Sequence, residues 1–148
     1  RIYQGQLAVL KDHKEITHML EQELEHLDYF EDELKKRNLR PTILSPLWSK
    51  LGFLLGAASA LLGEKGAMAC TVAVEEVIGE HYQSQLDTLK NNSAEAELRK
   101  KIKKFRDEEL EHRDTGIEFD AESTPAYSLI TKFIKAASKT AIFLSKRI

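Results

Sequence analysis

The chain has 148 residues, enough for one ordinary hydrophobic core and too few for two of the usual size. Charged residues make up 31% of the sequence, with only 7 glycines and 3 prolines, a composition typical of long helices. The net charge of −2 argues against a nucleic-acid-binding protein, and the single cysteine excludes a disulfide framework. We therefore predict one all-α domain.

The first half of the chain contains three predicted helices. A short helix should end near Leu10, because Asp12-x-x-Glu15 is the capping-box pattern that opens a new helix. An apolar helix should open at Ser45-Pro46, since Ser is a common N-cap and Pro fits the first helical turn. The predicted ranges are therefore a helix up to Leu10, one from about His13 to Arg37, and one from about Ser45 to Gly63.

Three more helices are predicted in the second half. Asn91-Asn92-Ser93 is a turn with an N-cap residue, so it separates two long helices. Thr124-Pro125 repeats the signal for a helix start. The predicted ranges are about Lys65 to Lys90, Ser93 to Glu122, and Pro125 to Lys146, and no segment has the pattern of a strand.

The tetrapeptide Glu-Leu-Glu-His occurs at 23–26 and again at 109–112. Apolar residues spaced alternately by three and four positions mark the side of a helix that faces a bundle interior. Glu23 and His26 occupy such interior positions on the second helix, and Glu109 and His112 occupy them on the fifth. All four polar side chains are therefore predicted to point inward.

A further glutamate and a second repeat complete the pattern. Glu75 falls on the interior side of the fourth helix, in the same three-four alternation. Residues 82–86, Tyr-Gln-Ser-Gln-Leu, resemble residues 3–7, Tyr-Gln-Gly-Gln-Leu, so the chain reads as two copies of one helix pair. Since Glu75 precedes Tyr82 by seven residues, the first copy should carry its glutamate five residues upstream of Arg1. We expect a single domain, residues 1–148, truncated within its first bundle helix.

Buried carboxylates are costly unless they are neutralised, paired or bound to metal. One glutamate from each of two helices and one Glu-x-x-His from each of two others is the pattern of ferritin-like di-iron and di-manganese bundles. Carboxylate oxygens with one imidazole per ion suit iron or manganese, whereas structural zinc sites favour thiolates. We predict a two-metal site; buried salt bridges are the alternative.

Two other groups of polar residues have weaker patterns. Glu15 and His18 form a third Glu-x-x-His, but Ile16 and Met19 take the interior positions beside them, so we expect this pair to be solvated. His81 and Tyr82 lie one to two turns beyond Glu75 and are candidates for a relay of protons or electrons next to the metals. The alternative for Tyr82 is an ordinary core aromatic residue.

Two segments suggest contact with a membrane surface. Residues 51–63 carry no charge, but they fall short of the roughly 20 apolar residues that span a bilayer. The last helix is predicted to be amphipathic, with Lys132, Lys135, Lys139 and Lys146 opposite an apolar side. We predict peripheral membrane binding; a helix that covers the bundle and exposes its lysines to water is the alternative.

Beyond these patterns, longer strings resemble the demethoxyubiquinone hydroxylases of ubiquinone biosynthesis, a membrane-associated branch of the ferritin-like di-iron proteins. The resemblance covers nearly the whole chain. It is carried by Arg1–Gln6, Pro46–Trp48, Leu51–Phe53, Gly66–Glu76, Lys104–His112 and Pro125–Tyr127. It implies an all-α, ferritin-like four-helix bundle with an apolar connecting helix and a C-terminal amphipathic helix.

The resemblance also implies a site and a reaction. The implied iron ligands are Glu23, His26, Glu75, Glu109 and His112, with a sixth glutamate upstream of Arg1, and His81 and Tyr82 form the relay beside them. The implied enzyme is an O₂-dependent monooxygenase, a 3-demethoxyubiquinol 3-hydroxylase, that uses two iron ions. It hydroxylates the ring of a polyprenylated quinol with electrons derived from NADH.

The same resemblance implies a location and partners. The location is the matrix side of the mitochondrial inner membrane, or the inner face of a bacterial cytoplasmic membrane. A lipid-binding accessory protein, a ubiquinone-biosynthesis complex and a second copy of the chain are left open as partners. The competing functions are a ferritin-like protein that stores iron or scavenges peroxide, and a structural bundle without metal.

Overall fold

The computed structural model describes all residues, 1–148, and contains six α-helices and no strand. The all-α prediction is therefore confirmed. Short 3₁₀ turns at Ser93–Glu95 and Ala121–Ser123 precede the last two helices. The helices are α1 Ile2–Val9, α2 Lys14–Lys36, α3 Ser45–Ala60, α4 Glu64–Leu89, α5 Ala96–Glu118 and α6 Tyr127–Ser145.

Several helix ends differ from the sequence-based prediction. The N-cap of α2 is His13, whose Nδ1 accepts from the Ile16 backbone N–H at 3.4 Å, whereas Asp12 has a positive φ of 59°. The predicted Asp12 capping box is therefore wrong. Ser45 is the first helical residue of α3 rather than its N-cap. Gly63, at φ 87°, does not close α3 but forms the N-cap of α4.

Helix α4 lies at the centre of the bundle, and nearly every residue between Gly66 and Val77 is buried. Its largest contacts are with α5 along one side and α6 along another. Small residues such as Ala67, Ala69 and Ala73 allow these helices to approach closely. This central helix carries Glu75 into the interior.

Helices α1 and α3 cross at a close contact that requires glycine. A Cβ at Gly5 would overlap the backbone oxygen of Phe53, and a Cβ at Gly56 would overlap the backbone oxygen of Ile2. Because backbone atoms cannot move aside as a flexible side chain can, both positions are restricted to glycine. The crossing fixes α1 beside α3, with Tyr3 directed into the core.

Helix α6 lies against α4, and two of its lysines are placed beside acidic residues of α4. Ile134 packs with Cys70, Ala73 and Val74, as an apolar face should. However, Lys135 pairs with Glu76 of α4, and Lys139 Nζ lies 2.9 Å from Glu80. Two of the four lysines are thus held by ion pairs with α4 instead of forming a free basic side, because they flank the buried face.

Large apolar side chains are exposed on both α3 and α6. On α6 the exposed fractions of Leu129 and Phe133 are 72% and 71%. None of the helices combines the length and apolar character that a membrane crossing requires. The exposed apolar side chains on and just after α3 are those of Leu47, Leu51, Phe53, Leu54, Leu61 and Leu62.

Candidate metal centre

Helices α2, α4 and α5 bring four of the five predicted ligands to one place. Glu23, Glu75, Glu109 and His112 each offer one ligand atom, and these atoms all lie within 4.8 Å of one another. Glu75, Glu109 and His112 are buried, whereas Glu23 is partly exposed. These four side chains thus lie on the interior sides of their helices, as the sequence predicted. Their role as metal ligands stays a prediction.

His26, the fifth predicted ligand, lies next to this group. Its Nδ1 is 3.5 Å from Glu23 Oε1 and 3.3 Å from Glu109 Oε1. The ring packs on Phe105, with 4.0 Å between ring centroids, and the residue is buried. His26 and His112 contact different oxygens of Glu109, Oε1 and Oε2, as one imidazole on each of two cations would require.

Both histidines direct Nδ1 toward the carboxylates because their Nε2 atoms are bonded elsewhere. His26 Nε2 lies 2.8 Å from Glu108 Oε2, and His112 Nε2 lies 2.8 Å from Gln22 Oε1. In the neutral imidazole, an oxygen partner at Nε2 places the proton there, which leaves the Nδ1 lone pair free for a cation. Gln22 was not predicted as a site residue, although it precedes Glu23 as Glu108 precedes Glu109.

The electrostatics of the site favour added positive charge. Burial raises the pKa of Glu75 well above its usual value, and the negative charges of Glu109 and Glu23 raise it further. Burial lowers the pKa of His26, but its carboxylate partners outweigh this and raise it to about 10. Without a cation, protons on these groups reduce the repulsion among the buried carboxylates.

Unpaired polar atoms test whether these residues fit metal ions. Glu23 Oε1, Glu109 Oε2 and the Nδ1 atoms of both histidines are buried and have no hydrogen-bond partner. Such atoms are rare in folded proteins and need an explanation. Two cations held by carboxylate oxygens and imidazole nitrogens would satisfy all four, so the residues fit a two-metal site.

Tyr3 is a site residue that the sequence pattern did not single out. It is buried, and its hydroxyl donates a hydrogen bond to Glu75 Oε1 at 2.5 Å. Its ring also meets the His112 ring edge-on, with 5.9 Å between centroids. The internal repeat could have identified Tyr3, because it is the counterpart of Tyr82. Of these two tyrosines, only Tyr82, in the second copy, was predicted to act beside the metals.

The proposed relay residues His81 and Tyr82 make no hydrogen bond to the carboxylate cluster. The Tyr82 ring stacks beside Phe30, with 6.1 Å between centroids, and burial raises its pKa. His81 Nε2 lies 3.3 Å from Gln85 Nε2, and the ring lines a surface cavity of about 430 Å³ with Phe143 and Lys146. Their role in a relay stays a prediction.

The third Glu-x-x-His lies outside the cluster. Glu15 and His18 are both exposed on α2, and neither side chain forms a hydrogen bond. Ile16 and Met19 take the buried positions beside them, as the apolar spacing predicted. The expectation that this pair is solvated is therefore confirmed.

Comparisons with known proteins agree with this geometry. A family model described as "Ubiquinone biosynthesis protein COQ7" matches residues 1–145. The "NADPH-dependent 3-demethoxyubiquinone 3-hydroxylase, mitochondrial" of Homo sapiens is 51% identical over all of this chain and 70% of its own length. The "3-demethoxyubiquinol 3-hydroxylase" of Rhodospirillum rubrum is 49% identical over 100% of this chain and 71% of its own. A mitochondrial 5-demethoxyubiquinone hydroxylase of Saccharomyces cerevisiae is 39% identical over 99% and 71%.

Proposed function

Because this chain belongs to the ubiquinone biosynthesis protein COQ7 family, we propose that it is a 3-demethoxyubiquinol 3-hydroxylase that uses O₂ and two iron ions. Family membership and the names of the relatives support the hydroxylase activity. They also displace the two competing functions, iron storage and a structural bundle without metal. The iron ions, the substrate tail and the partners are proposals that rest on the site.

One observation carries the metal part of the proposal: three carboxylates and two histidines converge in the bundle interior, and four of them hold a buried atom that has no hydrogen-bond partner. Iron is preferred over zinc because oxygen atoms dominate the ligand set and thiolates are absent from it. Two bound iron ions would supply the reduction of O₂ and the insertion of one oxygen atom into the quinol ring.

The residues of this chain have distinct tasks around that chemistry. Glu23 and Glu109 each contact both histidines, so these two carboxylates would help to hold both cations. Tyr3 holds one oxygen of Glu75 in place and keeps a proton at a defined atom. Phe105 and Tyr3 cover the histidine rings and shield them from water. We further propose that the sixth ligand is the glutamate expected five residues upstream of Arg1.

We propose a reduced nicotinamide dinucleotide as the source of electrons. The mitochondrial relatives from several animals are named NADPH-dependent, which supports a reduced nicotinamide dinucleotide as the source. NADH, the donor expected from the sequence resemblance, stays a prediction. A comparison of the two nucleotides at equal concentration in a turnover assay distinguishes them.

The proposed substrate tail explains the exposed apolar side chains. A polyprenyl quinol resides in a bilayer, and the exposed Leu129 and Phe133 of α6 would bury apolar area by contact with a membrane surface. The relatives named mitochondrial support a mitochondrial location. The matrix side of the inner membrane is our proposal within that location, with the inner face of a bacterial cytoplasmic membrane as the alternative. An accessory lipid-binding protein, a biosynthetic complex and a homo-oligomer remain proposals.

Liposome co-sedimentation tests the membrane proposal. Leu129→Ser with Phe133→Ser should reduce binding, because each change removes apolar area that contributes about 1.5–3 kcal/mol when buried. Thr140→Ser, an exposed position on the same helix, is the matched control. Equal sedimentation of the double variant and the control would contradict membrane contact through α6.

Turnover with a short-tailed demethoxyubiquinol tests the activity and the site together. Glu109→Ala should abolish hydroxylation and two-iron binding, because it removes a central oxygen ligand that is 1% exposed. Glu15→Ala, in the solvated Glu-x-x-His, should retain nearly full activity. Wild-type turnover in Glu109→Ala would refute the site, and loss of activity in Glu15→Ala would show that the wrong motif was chosen.

A further inference from the structure

The two histidines of the cluster are supported by chemically different partners. His26 Nε2 faces the carboxylate of Glu108, whereas His112 Nε2 faces the amide oxygen of Gln22, each at 2.8 Å. We infer that Glu108 and Gln22 are positioning residues that make the two cation sites unequal, with the tighter site at His26. This inference rests on the proposed two-metal function.

The two contacts are equivalent in the internal repeat. Gln22 immediately precedes Glu23 in the first Glu-Leu-Glu-His, and Glu108 immediately precedes Glu109 in the second. Each contacts the histidine of the opposite helix, so Gln22 of α2 reaches α5, and Glu108 of α5 reaches α2. The difference between an amide and a carboxylate is thus a chemical asymmetry within a symmetric arrangement.

Further contacts hold the carboxylate in its position. Lys104 Nζ lies 3.1 Å from Glu108 Oε1, one turn earlier on α5, and 2.8 Å from Glu25 Oε1 of α2. Gln22 Nε2 lies 3.5 Å from the same Glu108 oxygen. Glu108 Oε1 is therefore anchored, and Oε2 is directed at His26. The side chain of Glu108 is mostly buried, which limits the screening of its charge by water.

The chemical consequence follows from the charge on each partner. A carboxylate that accepts the Nε2–H of an imidazole draws the proton toward itself and raises the electron density at Nδ1. A neutral amide oxygen orients the ring in the same way but has a smaller effect on Nδ1. His26 should therefore be the stronger ligand, and its cation should be bound more tightly than that at His112.

Anaerobic Co²⁺ titration tests the asymmetry without relying on turnover. The protein, expressed with its natural upstream residues, is titrated by visible absorption and calorimetry, and the ratio of the two dissociation constants is measured. Glu108→Gln keeps an oxygen acceptor for His26 but removes its charge, so it should weaken the tighter step by up to about 10–100-fold, the range for changes to the partner behind a metal ligand. Gln22→Glu should tighten the weaker step, and both single variants should reduce the ratio.

Two further variants separate the effect of each histidine's hydrogen-bond partner from the effect of the protein's total charge. The double variant Gln22→Glu with Glu108→Gln keeps the net charge and exchanges the partners, so the ratio should return to a value well above that of either single variant. Glu111→Gln removes the same charge as Glu108→Gln from an exposed position on α5 whose side chain forms no hydrogen bond. This control should leave the ratio unchanged.

The outcomes distinguish this inference from the proposed function. If the wild-type protein binds two Co²⁺ ions and both single variants keep the wild-type ratio, the inference is wrong and the two-metal site stands. An equal change in Glu111→Gln and Glu108→Gln would also overturn it, since total charge would then be the cause. If the wild-type protein binds no pair of ions, the proposed metal function fails, and the inference fails with it.

Discussion

Tyr3→Phe should weaken the cluster although the core keeps its shape. The hydroxyl of Tyr3 donates to Glu75 Oε1 at 2.5 Å in a site where both residues are buried. Phenylalanine fills the same volume and preserves the edge-on contact with His112. The substitution therefore removes one hydrogen bond and leaves a buried carboxylate oxygen without its donor.

The expected magnitude follows from that loss. Leaving one partner of a buried hydrogen bond unsatisfied costs about 1–3 kcal/mol. In a domain of this size each kcal/mol lowers the midpoint of thermal unfolding by roughly 2–4 °C. For the metal-loaded protein the corresponding loss is about 10–100-fold in affinity, because Glu75 is no longer held in its ligand orientation.

Tyr82→Phe is the matched control, because Tyr82 occupies the equivalent place in the internal repeat. Its hydroxyl makes no hydrogen bond, and its ring stacks beside Phe30. We expect its free energy of unfolding and iron affinity to stay close to wild type. Urea unfolding of the metal-free proteins and anaerobic Fe²⁺ titration measure both quantities. If Tyr3→Phe behaves like Tyr82→Phe, the contact between Tyr3 and Glu75 does not support the site.

Three further predictions concern the crossing of α1 and α3, the charge on His26, and the relay role of His81 and Tyr82. Gly56→Ala should lower the free energy of unfolding in urea by several kcal/mol, because its Cβ would overlap the backbone oxygen of Ile2. Gly52→Ala is the control: its Cβ would meet its nearest neighbour at an ordinary 3.5 Å, so the loss should be about 1 kcal/mol or less. Because the pKa of His26 rises from 6.5 to about 10 on folding, its stabilising contribution is fully present below pH 6.5 and is lost toward pH 10. Thermal unfolding of the metal-free protein should show this decline, and His26→Asn should reduce it; an equal decline in the variant would contradict the assignment. If His81 and Tyr82 relay protons or electrons, Tyr82→Phe and His81→Ala should slow iron reduction in stopped-flow traces, by up to about 10²–10⁴-fold, with two irons still bound; wild-type rates in both would assign them to packing alone.

The interior polar positions could be predicted because they depend on periodicity within single helices. Glu23, Glu75 and Glu109 each interrupt an apolar spacing, and a buried carboxylate has few explanations. The register of one helix thus indicated that these residues point inward. Their convergence followed from the internal repeat and from the known pattern of two-metal bundles.

Contacts between helices were less predictable, because they depend on how each helix is rotated against its neighbour. Tyr3 was not assigned to the site, since spacing alone does not show that its hydroxyl reaches Glu75 on another helix. Lys135 and Lys139 were expected on a free basic side, but the orientation of α6 places them beside acidic residues of α4. The Asp12 cap failed for a local reason, because the backbone there turns to positive φ and His13 takes its place.

A single turnover under ¹⁸O₂ tests the central claim most directly. The protein, expressed with its natural upstream residues, is loaded anaerobically with two equivalents of Fe²⁺, mixed with a short-tailed demethoxyubiquinol and exposed to ¹⁸O₂. We predict one hydroxylated quinol per pair of irons, with ¹⁸O in the new hydroxyl group. A product oxygen derived from water, or equal product from metal-free protein, would contradict the account.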